Sequence, residues 1–169
     1  AVRRLEDGGA SALVLPSLFE EQVTLASRGE IRHRDVEEER FRAQVSAFPP
    51  SGAYALSPVT YLEHIRRVKD AVSVPVFASL NGTTSEAWLR VALDAEQAGA
   101  DGLEVNIYDI VSDPRRSGLA VETELRDLVR ELKGLLRIPV AMKLSPYFTA
   151  VGNLAHRLDE AHVDGLVLF

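Results

Sequence analysis

The sequence predicts an α/β protein whose parallel strands form part of a (β/α)8 barrel. Two sequence patterns alternate along the chain, and each ends in a short apolar run that predicts a buried strand. One pattern recurs at Asp101 and Asp164, 63 residues apart, and the other at Pro75 and Pro139, 64 residues apart. Because a βα unit takes about 30 residues, each pattern repeats after two units. Apolar strands separated by helices are typical of a parallel sheet covered by helices.

The predicted elements follow in order along the chain. The five predicted strands span residues of about 11–16, 74–80, 102–107, 139–145 and 164–169. Pro75 and Pro139 begin two of them, where a missing N–H falls before the ladder starts. Helix starts are predicted at Ser57-Pro58, Thr84-Ser85 and Thr149. Tyr61, on the first of these helices, is predicted to belong to the core rather than to a subunit contact.

Five strands in this alternation correspond to strands 2–6 of an eight-stranded barrel. A doubly wound open sheet is the alternative, but no Gly-rich dinucleotide loop follows any strand. The chain starts inside an amphipathic pattern and stops inside an apolar run, so we expect residues 1–169 to be one partial domain of a longer chain. An incomplete barrel leaves two open sheet edges, and we expect the piece alone to be unstable and inactive.

Residues 27–57 interrupt the alternation with a charged stretch followed by loop-forming residues. A long loop after a barrel strand serves as a lid or as a wall of the substrate site. A solvated insertion without a function is the equal alternative.

Composition limits the function classes. The chain has 169 residues, a net charge of −6 and no run of Lys or Arg, which argues against a nucleic-acid partner. It has neither an apolar stretch of about 18 residues nor a signal peptide, so we expect a cytoplasmic protein without a membrane partner. With no Cys and four His outside metal-ligand spacing, no metal site is expected.

Polar side chains interrupt the predicted strands near their carboxyl ends. Strand alternation turns Lys143 and Ser145 inward on one strand, and Glu104 and Asn106 inward on the strand before it. Phe77, Ser79 and Asn81 fall on the same inner face. Barrel enzymes place their chemistry at this end of the strands. The structural alternative is a buried Lys143–Glu104 ion pair that only fixes the geometry of the core.

A bound flavin would use such side chains. A cation close to the N1/O2 edge of the flavin ring stabilises the negative charge that develops there on reduction. An amide such as that of Asn106 both donates and accepts hydrogen bonds, which suits a heterocycle with mixed polar edges.

Two motifs carry a resemblance to a known family. Glu104-Val-Asn-Ile-Tyr108 and Lys143-Leu-Ser-Pro-Tyr-Phe148 resemble the corresponding strands of the dihydroorotate dehydrogenase family of FMN-containing barrels. Residues 9–22 and 78–82 are closer to its dihydroorotate dehydrogenase-like branch. The resemblance implies an FMN-dependent dehydrogenase acting on CH–CH bonds, with dihydroorotate or a related dihydropyrimidine as the small-molecule substrate, in pyrimidine biosynthesis. A homodimer of the full-length protein is one assembly that it allows.

The resemblance also implies roles for single residues. Lys143, Asn106, Ser79 and Asn81 would bind the cofactor, and Asn106 would also contact the substrate. Asp109 stands where the family has its Cys or Ser base, and Tyr108 beside it is a second candidate for moving the proton.

The chain also departs from the family pattern. Neither the Pro nor the second Asn of the family motif follows Asp109, which an ordinary turn also explains. Ser17, the predicted substrate contact, follows Pro16 where the family has an active-site Lys. The family's phosphate-binding loops fall beyond residue 169.

Two other functions remain open at this point. A lysine on an inner barrel strand is what a Schiff-base lyase of the aldolase type requires, with Lys143 as the amine. The altered base position and the absent second-strand lysine also fit a catalytically silent barrel.

Overall fold

A computed structural model describes residues 1–20, 22–23, 57–82, 86–107 and 111–168. Helices and strands alternate along these residues. The helices are α1 (Val2–Asp7), α2 (Pro58–Lys69), α3 (Glu86–Gln97), α4 (Gly118–Leu135) and α5 (Val151–Asp159). The strands are β1 (Leu13–Val14), β2 (Leu18–Phe19), β3 (Val76–Asn81), β4 (Gly102–Asn106), β5 (Val140–Lys143) and β6 (Gly165–Val167).

All strand pairs of the sheet are parallel, in the order β1-β3-β4-β5-β6, with β2 also beside β3. The predicted α/β architecture with a parallel sheet is therefore confirmed. The prediction of one strand over residues 11–16 is wrong in detail, because the chain pairs with β3 twice, as β1 and again as β2. The other predicted strands are each shorter than expected by one to three residues, because pairing stops where a strand enters its loop.

The helix signals are partly confirmed. The Ser57 hydroxyl accepts a hydrogen bond from the N–H of Thr60 at 3.2 Å, and Pro58 is the first residue of α2. On α4 the apolar residues that recur at helical spacing are buried, namely Leu125, Leu128, Val129 and Leu132. The start predicted at Thr149 is wrong by one position, since Ala150 is the N-cap of α5 and gives no side-chain cap. Thr84-Ser85 and residues 27–56 lie outside the described residues.

The two faces of the sheet differ in burial. Leu103 and Val105 of β4 and Val140 and Met142 of β5 are fully buried on the face that packs against the helices. The residues between them in sequence point to the opposite, inner face, as the alternation predicts. At the amino ends of the strands, the Phe77 ring lies directly over Gly102, where a Cβ atom would collide with it. Because Gly102 has no side chain, the Phe77 ring can cover the inner face at the amino ends of the strands.

The sequence repeat corresponds to a repeated contact. Lys69 donates to Asp101 at 2.6 Å, and the same carboxylate accepts from the N–H of Val76 at 2.7 Å. Two units later, Lys133 donates to Asp164 at 2.6 Å, and that carboxylate accepts from the N–H of Val140 at 2.7 Å. Each set joins a helix end to the starts of two neighbouring strands. We call these two sets the aspartate clamps.

The turns from helix to strand repeat as well. Gly9, Gly99 and His162 occupy the left-handed region with φ of 94°, 99° and 67°. In each turn the N–H of this residue and that of the next one donate to carbonyls of the last helical turn. The three turns share one geometry, although the third has a histidine where the others have glycine.

Candidate active site

Asn81, Asn106 and Lys143 form a row across the inner face. Asn81 is in register with Asn106, and Asn106 with Lys143, at the carboxyl ends of three adjacent strands. Neighbouring strands lie about 4.8 Å apart, so the three side chains project from one level of the sheet. Within the described part of the chain, none of the three side chains has a hydrogen-bond or ion-pair partner. We call them the polar row.

Lys143 lies on the inner face, as predicted, but it is exposed rather than buried. The reason is its place as the last residue of β5, on a face that the described residues leave open. The alternative of a buried Lys143–Glu104 ion pair is also wrong. Glu104 is in register with Ala141 rather than with Lys143, and its carboxylate accepts a hydrogen bond from Ser79 instead.

A chain of buried polar groups lies one level below the polar row. The Ser79 hydroxyl donates to Glu104 Oε1 at 2.9 Å, and the hydroxyl oxygens of Ser17 and Ser79 are 2.7 Å apart. Ser79 is 1% exposed and Glu104 is 8% exposed, whereas Ser17 is half-buried. Buried polar groups carry a large cost unless they are hydrogen-bonded, and each of these has a partner. We call Ser17, Ser79 and Glu104 the serine–glutamate chain.

A bulge between β1 and β2 brings Ser17 to the inner face. Three residues lie between Val14 and Leu18, but only two lie between their partners Phe77 and Leu80 on β3. The extra residue shifts the alternation, so that Leu15 and Leu18 both face the helices and Ser17 faces inward beside Ser79. Pro16 lies within the bulge, where it interrupts no ladder.

Tyr61 supports β3 at the level of the bulge. Its hydroxyl accepts from the N–H of Ser79 at 2.8 Å and donates to the carbonyl of the same residue at 3.0 Å. Tyr61 is fully buried, which confirms its predicted place in the core. Sequence reasoning missed the bulge and this pair of bonds. The one available signal was the spacing of Leu13, Leu15 and Leu18, which breaks strict alternation.

A cleft of about 330 Å³ adjoins the carboxyl end of β5. Ser145, predicted to face inward, lines it together with Phe148 and Glu122. Glu122 also accepts a hydrogen bond from Arg157 at 2.9 Å, which joins α4 to α5. The cleft is therefore lined by apolar and hydroxyl side chains with one carboxylate, that of Glu122.

The predicted proton-transfer residues Tyr108 and Asp109 lie outside the described residues. The described chain continues at Val111, which lines the cleft. Among the described residues, no group of three or more His, Cys, Asp or Glu side chains could hold a metal ion. No helix in that part of the chain is long and apolar enough to cross a membrane.

Curated relatives share part of the sequence. The catalytic subunit of dihydroorotate dehydrogenase B (NAD(+)) from Shouchella clausii is 28% identical over 103 residues, which are 59% of this chain and 33% of that protein. The subunit from Methanocaldococcus jannaschii is 32% identical over 115 residues, or 63% of this chain and 36% of that protein. The chain is similar to a dihydroorotate dehydrogenase. It spans about a third of the length of these relatives, and no protein-family profile matches it.

Solved structures share the fold. A proposed dihydrodipicolinate synthetase from Pseudomonas aeruginosa has a TM-score of 0.57 at 21% identity and is matched over 99% of this chain and 46% of that one. A phosphonopyruvate hydrolase, solved with oxalate and Mg²⁺, has a TM-score of 0.55 at 17% identity and is matched over 99% of this chain and 62% of that one. At such identities the likeness concerns the fold alone. The sheet is therefore part of a TIM barrel.

Proposed function

We propose that the protein is an FMN-dependent oxidoreductase that oxidises dihydroorotate or a related dihydropyrimidine. The observation that carries the proposal is the polar row: an ammonium and two amides in register, at the catalytic end of a barrel sheet, without partners in the described part of the chain. Polar groups held in this way are available to a ligand. The similarity to the catalytic subunits of dihydroorotate dehydrogenase B supports the same reaction.

The side chains of the row suit a flavin ring. Bound FMN would supply the hydride acceptor. Lys143 would place its positive charge against the pyrimidine edge of the ring, where negative charge develops on reduction. Asn106, one strand away, would donate to a ring oxygen or accept from a ring N–H. Asn81 extends the row by one more strand.

The remaining predicted roles stay predictions. Ser79 was expected to contact the cofactor, and its hydroxyl is engaged with Ser17 and Glu104. In this proposal Ser79 supports the polar row, which lies one level above it, instead of contacting the cofactor. Asp109 or Tyr108 would take the substrate proton. A homodimer, a cytoplasmic location and a role in pyrimidine biosynthesis remain part of the proposal.

The test is the flavin content of the purified protein and of two variants at Lys143. The wild-type protein is expected to be yellow and to release FMN on denaturation. Lys143→Met should lower FMN affinity by at least about tenfold, because it removes the charge and its hydrogen bonds. Lys143→Arg, the matched control, should retain most of the affinity. A colourless protein that does not take up added FMN, or an unchanged flavin content in Lys143→Met, would contradict the proposal.

A second candidate is a Schiff-base lyase that uses the Lys143 amine. The observation in its favour is that no carboxylate of the described residues pairs with this amine. The observation against it is exposure, since such amines are activated by apolar enclosure and Lys143 has none. Borohydride trapping with pyruvate as the carbonyl compound separates the two candidates, because only the lyase forms a reducible adduct. A protein that shows neither trapping nor flavin uptake would favour the alternative of a catalytically silent barrel.

A further inference from the structure

The cleft beyond the carboxyl end of β5 is separate from the residues proposed to bind the flavin. It is formed by Val111, by the first turn of α4 and by the segment that follows β5. None of the described residues that line it belongs to the polar row or to the serine–glutamate chain. Its volume of about 330 Å³ lies at the small end of the range of ligand pockets in proteins. The cleft is therefore a candidate site for a second, small ligand.

Ser145 brings an unused hydrogen-bonding group to this cleft. The residue lines the cleft and is only 9% exposed. Within the described part of the chain its hydroxyl has no hydrogen-bond partner, in contrast to that of Ser79, which is also buried. A buried hydroxyl without a partner is costly, so such a group in a cleft indicates that a ligand supplies the missing bond.

Glu122 brings an acceptor to the same cleft. Its Oε2 atom accepts from Arg157 Nη1 at 2.9 Å, and the side chains of Glu122 and Arg157 are 15% and 17% exposed. Its Oε1 atom has no partner among the described residues. The guanidinium of Arg157 also donates to the hydroxyl of Thr123 at 3.2 Å, which holds it beside Glu122. The carboxylate is thus neutralised by a fixed partner, and one of its oxygens remains available.

The charges around the cleft disfavour a ligand of either sign. An anion would meet the carboxylate of Glu122, which lines the cleft. A cation would meet the guanidinium of Arg157, which is paired with Glu122. It would also meet the positive amino end of α4, an 18-residue helix whose first residue, Gly118, lines the cleft. A neutral ligand avoids both repulsions.

We infer that the cleft binds a small neutral molecule that carries a hydroxyl group, namely an alcohol or a phenol. A hydroxyl both donates and accepts, so one group can donate to Glu122 Oε1 and accept from the Ser145 hydroxyl. The apolar body of the ligand lies against the half-buried residues Val111, Val121 and Phe148. This inference goes beyond the proposed function, because the site shares no residue with the polar row.

Four small compounds with the same aromatic ring test the choice of ligand. Benzyl alcohol carries the neutral hydroxyl, benzylammonium a positive charge, benzoate a negative charge, and toluene no polar group. We expect benzyl alcohol to bind with a dissociation constant of about 1 mM or lower, an affinity within reach of so small a molecule. The other three should bind at least about fivefold more weakly, because each leaves like charges opposed or the two polar groups unpaired. Ligand-observed NMR measures all four affinities in the wild-type protein.

Two glycines of α4 provide a test of the place of binding. A Cβ atom added at Gly118 or at Gly134 has open space around it, so both positions tolerate a side chain. Gly118→Phe puts a ring at the cleft and should weaken the binding of benzyl alcohol by at least about tenfold. Gly134→Phe, near the other end of the same helix and away from the cleft, is the matched control and should keep the wild-type affinity.

Ser145→Ala tests the hydroxyl itself. It should weaken the binding of benzyl alcohol by about three- to tenfold, because the ligand loses one hydrogen bond. The urea midpoint of the ligand-free variant should not fall, because the hydroxyl has no bond to lose in the described part of the chain. A structural role would give the opposite result, a lower midpoint with unchanged binding. Ser11→Ala, at an exposed serine before β1, is the control for both measurements.

The outcomes decide this inference separately from the proposed function. It is overturned if benzyl alcohol does not bind, if one of the other three compounds binds equally well, or if Gly118→Phe keeps the wild-type affinity. Unchanged affinity in Ser145→Ala would overturn the part given to that hydroxyl. The flavin content of the protein and of the Lys143 variants does not involve the cleft. A colourless protein can therefore still bind benzyl alcohol, and a yellow one can fail to bind it.

Discussion

The hydroxyl group of Tyr61 bonds both backbone groups of Ser79 on β3, at the level of the candidate site. Its removal from water raises the pKa of Tyr61 to about 12, the hydrogen bond with the Ser79 backbone lowers it, and the nearby charge of Glu104 raises it. The hydroxyl stays protonated in the folded protein and serves as both donor and acceptor for Ser79. The position of Ser79, and with it the serine–glutamate chain, depends on this group.

Tyr61→Phe is expected to lower the free energy of unfolding by about 1–3 kcal/mol, because the N–H and carbonyl of Ser79 lose a buried partner. Urea denaturation at neutral pH measures the loss. Ser11→Ala is the control: it removes an exposed hydroxyl before β1, and its loss should stay within about 0.5 kcal/mol. Equal effects in the two variants would contradict the role given to Tyr61.

The same tyrosine makes stability depend on alkaline pH. Its folded pKa lies above the value near 10 of an unfolded chain, so the folded state holds the proton more tightly. The contribution is complete below pH 10 and is lost as the pH rises through 12. The difference in unfolding free energy between wild type and Tyr61→Phe should therefore shrink by about 2 kcal/mol between pH 9 and pH 12. A constant difference over this range would count against the buried, protonated hydroxyl.

At the scale of elements, the aspartate clamps join helix ends to strand starts. Burial alone would raise the pKa of Asp101, but the hydrogen bonds from Lys69 and Val76 outweigh it and leave the pKa below its ordinary value. The pKa of Asp164 is lowered in the same way, by Lys133 and Val140. A lowered folded pKa stabilises the protein above the unfolded pKa near 3.9, and this contribution is lost as the pH falls further. Both clamps therefore weaken in acid.

Alanine at either clamp position should destabilise the protein. Asp101→Ala and Asp164→Ala each leave a strand N–H without its acceptor, and each should cost about 1–3 kcal/mol at pH 7. The two losses should add in the double variant, because the clamps share no partner. Asp101→Asn and Asp164→Asn keep an acceptor and should cost less than about 1 kcal/mol each. Losses in the alanine variants that fall well short of additivity would show that the clamps are not independent.

Most elements could be predicted from local signals. The Pro residues before β3 and β5 and the Asp residues before β4 and β6 mark strand starts, because each Asp accepts from the N–H of the residue that follows a Pro. The bulge has one local signal, the spacing of Leu13, Leu15 and Leu18, and its exact place depends on the register with β3, which is distant in sequence. His162 likewise gave no turn signal, although it has the backbone conformation of Gly9 and Gly99.

The candidate site could be predicted in part. Alternation along β4 and β5 was enough to place Asn106 and Lys143 on one face, because side chains in a strand follow a strict period of two. The partner of Glu104 could not be predicted, because Lys143 and Ser79 both lie within one strand of it and only the register decides. The exposure of Lys143 depends on what covers the inner face, which is a property of the whole molecule.

At the scale of the molecule, the inner face and the outer strands expose apolar groups. Val14 on β1, Phe19 on β2 and Leu168 after β6 are 55%, 45% and 57% exposed. In the part of the chain that the structure describes, β1 and β6 each pair on one side only. Unpaired strand edges beside apolar side chains are templates for association.

We therefore expect the 169-residue chain to self-associate at a protein concentration of about 100 µM. Val14→Lys and Phe19→Lys should each shift it towards the monomer, because a charge on an open edge opposes pairing. Leu119→Lys is the control, since that leucine is 65% exposed on α4, away from the sheet edges. Sedimentation velocity measures the distribution. A wild-type chain that stays monomeric, or an equal effect of the control, would contradict this prediction.

The aspartate clamps lie at the starts of the strands, and the polar row lies at their ends. The contacts that stabilise the sheet and the side chains proposed to bind a ligand thus lie at opposite rims, so substitutions at one rim should leave the other intact. An engineer could replace Asn81 and Asn106 to vary the proposed ligand site while keeping every clamp contact. The same separation would let such a scaffold stay regular while the side chains at its other rim change.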